Sequence, residues 1–123
     1  MQGEPILIVD DDVGNLKLSW VLLSSRGYEV RTAGDAEEAL RVLKRFSPRL
    51  ILIDLQLPGM DGLELARTVK AEPSASGAVI LALTTTKEDE EIALAAGCVG
   101  CIPKPIDLRR LPAQVAEYLR RPV

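Results

Sequence analysis

Three short runs of apolar residues, each followed closely by polar side chains, constrain this sequence more than any other feature. The runs lie at residues 6–9, 50–53 and 79–83 and consist of Ile, Leu and Val with one Ala. Continuous apolar runs are typical of β-strands covered on both faces, because a strand with one solvated face alternates polar and apolar residues. Two weaker runs, at 28–32 and 99–102, are further strand candidates. The chain is therefore predicted to contain five strands in a sheet buried between two layers.

The segments between these runs have helical spacing and recognisable ends. The predicted helices cover residues 13–26, 35–45, 62–71 and 87–96, with a fifth after Asp107. Asp35 and Asp61 are the expected N-caps of the second and third helices, and Gly27 and Gly97 the expected ends of the first and fourth. Pro112 disturbs the start of the fifth helix, because proline lacks a backbone donor. Alternating strands and helices predict an α/β fold, (βα)₅, with a doubly wound parallel sheet.

Length and composition exclude several classes of function. The 123 residues have the size of one domain, so 1–123 is taken as a single domain. A hydrophobic fraction of 47% excludes a disordered chain. The net charge of −3 argues against direct binding of nucleic acid. Histidine is absent, which excludes an imidazole base, an imidazole metal ligand and a phosphohistidine on this chain.

The sequence carries no signal for export or membrane insertion, and we expect a cytoplasmic protein without a membrane partner. The apolar run at 6–9 is too short for a signal peptide and has no cationic segment before it. Cys98 and Cys101 have the C-x-x-C spacing of redox and zinc sites, but no further soft ligands exist for zinc. We place both on the fifth strand, where residues three apart point to opposite faces. We therefore expect two free thiols.

Polar side chains follow the predicted strands at the point where each strand ends. They are Asp10, Asp11 and Asp12, Asp54, Thr84, and Lys104 with Pro105. The carboxyl ends of parallel strands meet at one edge of the sheet, where the functional crevice of such folds lies. Carboxylates converging there suit Mg²⁺, while a lysine and a hydroxyl suit the oxygens of a phosphoryl group. A carboxylate oxygen is also a competent nucleophile.

These motifs resemble those of the response-regulator receiver domain, the phosphoacceptor module of two-component signalling. The resemblance rests on residues 6–11, 52–62, 81–84 and on 96–97 leading to 104–106, and it extends over nearly the whole chain. It implies a flavodoxin-like receiver fold with strand order 2-1-3-4-5, in which Pro103 suits an edge strand. It also implies Mg²⁺ as cofactor and a histidine kinase or histidine phosphotransferase as phosphodonor.

The resemblance assigns the acidic residues one by one. Asp54 is the implied phosphorylated residue, and Asp10 and Asp11 are the implied acidic pair for Mg²⁺, with Asp11 the direct ligand. Gln56 would offer its backbone carbonyl to the metal, while its side chain would face the path of the attacking water. Asp12 has two interpretations, a role in the site or a place at the start of the first helix.

The resemblance also assigns the residues that bind the phosphoryl oxygens, and it shows where this sequence departs from the family, first in an interval between Thr84 and Lys104 that is shorter than is usual there. Thr84 would bond one phosphoryl oxygen and Lys104 another, and the Lys104–Pro105 bond is expected to be cis. Cys101 stands where receiver domains carry a Tyr or Phe whose position follows phosphorylation, so we expect Thr84 and the following loop to relay the signal. Thr85 stands where the family has a small residue, and its bulk is expected to narrow access to the site.

The first helix carries more apolar residues than one buried face requires. We assign Leu18 and Leu22 to its core stripe and Leu16, Trp20 and Leu23 to a second stripe. Receiver domains commonly dock the phosphodonor on this helix, so Leu16 and Trp20 are candidate docking residues. The alternative is peripheral packing of Trp20. The downstream target would bind through the fourth helix, the fifth strand and the fifth helix.

The resulting hypothesis is a complete, single-domain response regulator that is a signalling phosphoacceptor rather than an enzyme acting on an external substrate. One alternative is a receiver domain excised from a larger regulator or hybrid kinase. Another is a receiver-like binding module that works without phosphorylation, suggested by Cys101, Thr85 and the shortened interval before Lys104. A phosphatase of the haloacid-dehalogenase kind is disfavoured, because those enzymes use an Asp-x-Asp motif and position 56 is Gln.

Overall fold

The computed structural model describes residues 3–57, 61–75 and 77–120. The strands are β1 (Pro5–Val9), β2 (Glu29–Ala33), β3 (Leu50–Asp54), β4 (Val79–Thr84) and β5 (Gly100–Pro103). The helices are α1 (Val13–Ser24), α2 (Ala36–Leu43), α3 (Gly62–Lys70), α4 (Lys87–Ala95) and α5 (Leu111–Arg120), with a short 3₁₀ turn at Pro73–Ala75. Residues 58–60, which belong to the motif at 52–62, lie outside the described residues.

The five strands form one parallel sheet in the order β2-β1-β3-β4-β5. The predicted (βα)₅ architecture and strand order are therefore confirmed. In the register, Val9 is level with Ile53, Asp54 with Leu83, and Thr84 with Pro103. The strand ends that carry the polar side chains consequently lie along one edge of the sheet.

The core consists of two aliphatic clusters, one on each face of the sheet. Leu7 and Ile53 belong to the first cluster, which also receives α2, α3 and α4. Ile8 and Leu52 belong to the second, which receives α1 and α5. Neighbouring residues of a strand point to opposite faces, so each fully buried strand needs apolar side chains at every position. This double burial explains the continuous apolar runs.

The helix ends follow the predicted local chemistry. The side chains of Asp35 and Asp61 accept hydrogen bonds from the backbone N–H groups of Glu38 and Glu64, as N-caps do. Gly27 and Gly97 have φ values of 96° and 106°, which glycine adopts without strain. Helix α1 ends at Ser24, two residues earlier than predicted. Helix α5 begins at Leu111, so Pro112 sits in its first turn, where no donor is needed.

The predicted core face of α1 is wrong. Leu18 is 53% exposed, whereas Leu23 and Ser19 are buried against the sheet. Leu22 is only partly buried. The helix is apolar on all sides, so its sequence carries no polar stripe from which the buried face could be identified.

The prediction for the two cysteines is wrong in one respect. Both thiols are free, as expected. Cys98, however, lies before β5 rather than on it, so the alternation of a strand does not separate the two side chains. Both pack against the same cluster as α4. Burial raises the pKa of Cys98 to about 11, which keeps its thiol protonated at neutral pH.

Gly62 allows α3 to pack directly on the chain that carries Asp54. A β-carbon at this position would overlap the backbone oxygen of Asp54 and would lie 2.5 Å from the Cα atom of Leu55. We predict that Gly62→Ala lowers the free energy of unfolding by about 3 kcal/mol, because backbone atoms cannot move aside as a flexible side chain can.

Urea denaturation of Gly62→Ala and of a matched control, Gly77→Ala, measures this effect. A β-carbon at Gly77 would meet nothing within 4 Å, so the control should stay within about 0.5 kcal/mol of wild type. Equal stabilities of the two variants would show that the close packing at Gly62 is not required.

Among the helices of the described segments, none combines the length and hydropathy that a membrane crossing would need.

Candidate functional site

The predicted acidic residues meet at one edge of the sheet. Asp10, Asp11 and Asp54 each place one carboxylate oxygen within 4.8 Å of the others. Asp10 and Asp54 are each only 1% exposed, whereas Asp11 is exposed. This set, the acidic cluster, comes from the ends of β1 and β3, which are neighbours in the sheet. Three converging carboxylates can hold a hard divalent cation such as Mg²⁺.

Asp12 caps α1. Its Oδ1 accepts a hydrogen bond of 3.0 Å from the backbone N–H of Asn15, and its own N–H donates to Oδ1 of Asp10 at 2.9 Å. Of its two interpretations, the place at the start of the first helix is therefore confirmed. Its N–H also fixes the orientation of the Asp10 carboxylate, so the cap and the acidic cluster are built from the same turn.

The second oxygen of Asp10 has no protein partner. Oδ2 is buried and accepts no hydrogen bond from any residue in the described part of the chain. Burial raises the pKa of Asp10, and the charges of the neighbouring Asp54 and Asp11 carboxylates raise it further. The hydrogen bond from the Asp12 N–H and the positive charge of Lys104 lower this pKa, but they do not cancel the rise. A buried, unpartnered carboxylate oxygen in a cluster of like charges fits a cation ligand, because a bound cation would satisfy the oxygen and relieve the repulsion.

We predict that Asp10→Asn stabilises the metal-free protein. A carboxyl group whose pKa is raised by folding costs stability at every pH above its unfolded pKa, so at pH 7 its replacement by a neutral amide should raise the free energy of unfolding by about 1 to 2 kcal/mol. Saturating Mg²⁺ should stabilise wild type and should have much less effect on the variant.

Urea denaturation at pH 7, with Mg²⁺ and with a chelator, gives both comparisons. Asp35→Asn is the control, because Asn caps a helix as well as Asp does and Asp35 lies outside the acidic cluster. A metal-free Asp10→Asn protein less stable than wild type would contradict this account of the cluster.

Lys104 brings a positive charge to Asp54. Its Nζ lies 2.8 Å from Oδ1 of Asp54, and the same oxygen accepts the backbone N–H of Gln56 at 2.9 Å. The Lys104 N–H donates to the carbonyl of Thr84 at 2.8 Å, which ties the end of β5 to the end of β4. The Lys104–Pro105 peptide bond is cis, as expected.

A cavity of about 460 Å³ opens above the acidic cluster. Besides the four aspartates and Lys104, its lining includes Asn15 and Thr85. Asn15 had no assigned role in the sequence. Its position three residues after the cap could have indicated such a place, because helical side chains tilt towards the N-terminus of their helix. Gln56 is exposed, and its backbone N–H is the group in contact with Asp54.

The two threonines after β4 occupy different surroundings. Thr84 is buried and lines a neighbouring cavity of about 280 Å³, together with Pro103 and Glu90. Thr85 lines both cavities, and its hydroxyl donates to Oδ2 of Asp89 at 3.2 Å. Of the two, Thr85 is therefore the threonine that lines the acidic cavity, and it is the residue whose bulk is expected to narrow access to the site.

The remaining candidate residues lie outside the acidic cavity. Trp20 is 46% exposed and lines a separate cavity of about 310 Å³ with Leu16, Val13, Lys17 and Thr32. Cys101 is partly buried on β5, and its thiol lies 3.9 Å from the backbone oxygen of Glu90 in α4. Cys101 therefore contacts the helix that follows the threonine loop, although it carries no ring.

Two curated response regulators are similar to this chain in sequence. It is 36% identical over 118 residues to the DNA-binding response regulator MtrA of Mycolicibacterium paratuberculosis and to the protein of the same name from Mycobacterium tuberculosis. Each match covers 94% of this chain but only 51% and 50% of those proteins. The chain therefore spans about half the length of the curated relatives it matches.

Two solved structures share the fold over almost the whole of both chains. A CheY-like receiver domain protein from Methanospirillum hungatei has a TM-score of 0.87 at 32% identity, covering 96% of this chain and 94% of that one. The chemotaxis response regulator CheY4 of Vibrio cholerae has a TM-score of 0.88 at 28% identity, covering 96% and 99%. A model of the response regulator receiver domain matches residues 6–116. This match shows that the chain belongs to the response regulator receiver domain family, and the strand order and the acidic cluster at the strand ends agree with it.

Proposed function

We propose that Asp54 of this chain accepts a phosphoryl group from a phosphohistidine on a histidine kinase or histidine phosphotransferase. Receiver domains of response regulators interact with donors of these two kinds. The observation that carries the proposal is the ion pair between Lys104 and Asp54, 2.8 Å long, within a cluster of carboxylates. A nucleophilic carboxylate, further acidic ligands and a cation for the phosphoryl oxygens are the groups that phosphoryl transfer needs.

Each residue has a defined part in the transfer. An oxygen of Asp54 attacks the phosphorus atom, and the bond between phosphorus and the donor nitrogen breaks as the new P–O bond forms. The histidine leaves with the bonding electron pair. The N–H of Gln56 holds the Asp54 carboxylate in place, and Lys104 passes from Asp54 to an oxygen of the transferred group. The chemistry is positioning and charge neutralisation, because the protein forms no other covalent bond.

The acidic pair and the backbone carbonyl of Gln56 would hold Mg²⁺. When bound, the ion supplies positive charge that neutralises the carboxylates and the phosphoryl oxygens. Asp10 offers its unpartnered Oδ2 and Asp11 an exposed carboxylate. Thr84 bonds a further phosphoryl oxygen in this proposal, which requires a movement of its buried hydroxyl towards the acidic cavity. Hydrolysis of the aspartyl phosphate returns the protein to its starting state.

The proposal is tested by intact mass spectrometry after incubation with acetyl phosphate. We expect a gain of one phosphoryl group in the presence of Mg²⁺ and none in the presence of a chelator. A gain in both conditions would overturn the role of the cation. No gain with acetyl phosphate or with any phosphorylated histidine protein would favour the alternative of a binding module that works without phosphorylation.

Leu16 and Trp20 are proposed to contact the donor protein. They line one open cavity on α1, the helix whose N-terminus borders the acidic cavity. We predict that Trp20→Ala slows transfer from a phosphorylated histidine phosphotransferase about tenfold, because large aromatic side chains dominate the binding energy of interfaces. Phosphorylation by acetyl phosphate should stay unchanged, because this small donor does not need the surface.

Rapid-quench kinetics with both donors measures the two rates. Leu18→Ala is the control, since Leu18 is 53% exposed on the same helix and does not line that cavity. A Trp20→Ala protein that is slowed equally with both donors, or with neither, would leave peripheral packing as the role of Trp20.

The output belongs to the same proposal. A downstream protein would bind the surface of α4, β5 and α5, and the contact of Cys101 with Glu90 offers a link from β5 to α4 in place of a moving ring.

The transfer would take place in the cytoplasm, where reducing conditions keep both cysteines as thiols. A single receiver domain over 1–123 and a receiver domain of a longer regulator are both compatible with this mechanism.

A further inference from the structure

Asn15 contributes to the acidic cavity a neutral polar side chain that the proposed function does not use. It lies in the first turn of α1, directly after the turn that carries Asp10, Asp11 and Asp12. Helical side chains tilt towards the N-terminus of their helix, which directs the Asn15 carboxamide back towards the cluster. Asn15 lines the same cavity as Asp54 and Lys104.

The carboxamide of Asn15 is unengaged in the described part of the chain. Its backbone N–H donates to the side chain of Asp12, the helix cap, and the carboxamide takes no part in that hydrogen bond. The other side-chain donors of the cavity already have partners, because Lys104 pairs with Asp54 and the Thr85 hydroxyl donates to Asp89. Asn15 therefore offers the cavity two N–H donors without having to break an existing contact.

The remaining lining explains why such a donor matters. Four aspartates surround the cavity, and a phosphoryl group entering it carries negative charge on its oxygens. A neutral donor among carboxylates binds such an oxygen without adding repulsion, whereas an aspartate at the same position would add to it. A hydrogen bond to a charged acceptor contributes about twice as much as one between neutral groups.

We propose that the Asn15 carboxamide donates a hydrogen bond to the phosphoryl group during its transfer to Asp54. The inference rests on the proposed function and adds to it a contact on the side of α1. With acetyl phosphate, the bond between phosphorus and the acetate oxygen breaks as the bond to Asp54 forms, and acetate leaves with the electron pair. Asn15 exchanges no proton in this step.

The test compares wild type, Asn15→Ala, Asn15→Asp and Leu18→Ala in Mg²⁺. The rate constant for phosphorylation by acetyl phosphate is measured by intact mass, and the affinity for beryllofluoride, a tetrahedral analogue of the phosphoryl group, by its shift of the thermal unfolding midpoint. We expect Asn15→Ala to reduce both the rate constant and the affinity about tenfold. Asn15→Asp should reduce both further, because it replaces a donor by a carboxylate of the same shape.

Leu18→Ala should match wild type, since Leu18 is exposed on the same helix and does not line the cavity. Urea denaturation of each metal-free variant shows whether the fold is retained. An Asn15→Ala protein within twofold of wild type in either readout overturns the inference and leaves the proposed function intact. A wild-type chain that neither gains a phosphoryl group nor binds beryllofluoride overturns both.

Discussion

An Asp54→Asn variant is expected to gain no phosphoryl group from any donor. An amide has no charged oxygen with which to attack phosphorus, so the loss should be complete rather than partial. The fold should survive the change, because the amide oxygen can still accept the N–H of Gln56 that Oδ1 of Asp54 accepts in wild type. Removing one of three clustered carboxylates should also weaken the repulsion around Asp10.

Intact mass spectrometry with acetyl phosphate and Mg²⁺ detects this loss. Asp35→Asn is the matched control, because it makes the same chemical change at an exposed helix cap far from the cluster in sequence and keeps the cap function. The control should be phosphorylated at the wild-type rate. A phosphorylated Asp54→Asn protein would show that another carboxylate is the acceptor.

The second large effect is expected for Lys104→Ala. The variant keeps the acceptor carboxylate but loses the cation that lies 2.8 Å from it, so phosphorylation should still occur but should be about 100-fold slower. Lys104→Arg should lie between the two, because a planar guanidinium does not reproduce the point charge of an ammonium group.

Time courses of intact mass at saturating acetyl phosphate separate a slow reaction from an absent one. Lys44→Ala serves as the control, since Lys44 is exposed at the end of α2 and does not line the acidic cavity. If Lys104→Ala reacted at the wild-type rate, the Lys104–Asp54 ion pair would be a structural contact without a part in transfer.

The sheet and its polar edge could be predicted because they depend on local patterns that few other structures share. Ile6 to Val9 and Leu50 to Ile53 are apolar at every position, and both faces of these strands are covered. The aspartate caps Asp35 and Asp61 follow from hydrogen bonds within four residues of chain. Parallel strands then bring their ends to one edge whatever the lengths of the connections.

The orientation of α1 could not be predicted for a physical reason. A helix is oriented by the contrast between its apolar and polar faces, and α1 has one charged side chain, Lys17, in twelve residues. Ser19 faces the core and Leu18 faces solvent, the reverse of what hydrophobicity alone indicates. An apolar outer face on this helix is instead consistent with the docking role proposed for Trp20.

Which side chains line the acidic cavity could also not be predicted in full from the sequence. Asn15 enters the cavity through the tilt of a helical side chain, and no motif marks it. Thr84 and Thr85 are adjacent and chemically identical, so only the direction of each side chain at the end of β4 separates the buried one from the one beside the acidic cluster. The placement of Cys98 depended in the same way on where β5 begins.

The most direct test of the central claim is to locate the phosphoryl group on the chain. Borohydride reduces an aspartyl phosphate to homoserine, and peptide mass spectrometry after reaction with acetyl phosphate and Mg²⁺ then identifies the modified position. The account predicts homoserine at position 54 alone, with none in a sample incubated with a chelator. Homoserine at position 10, 11 or 12, or a phosphoryl group that borohydride does not reduce, would contradict the assignment of Asp54 as the acceptor.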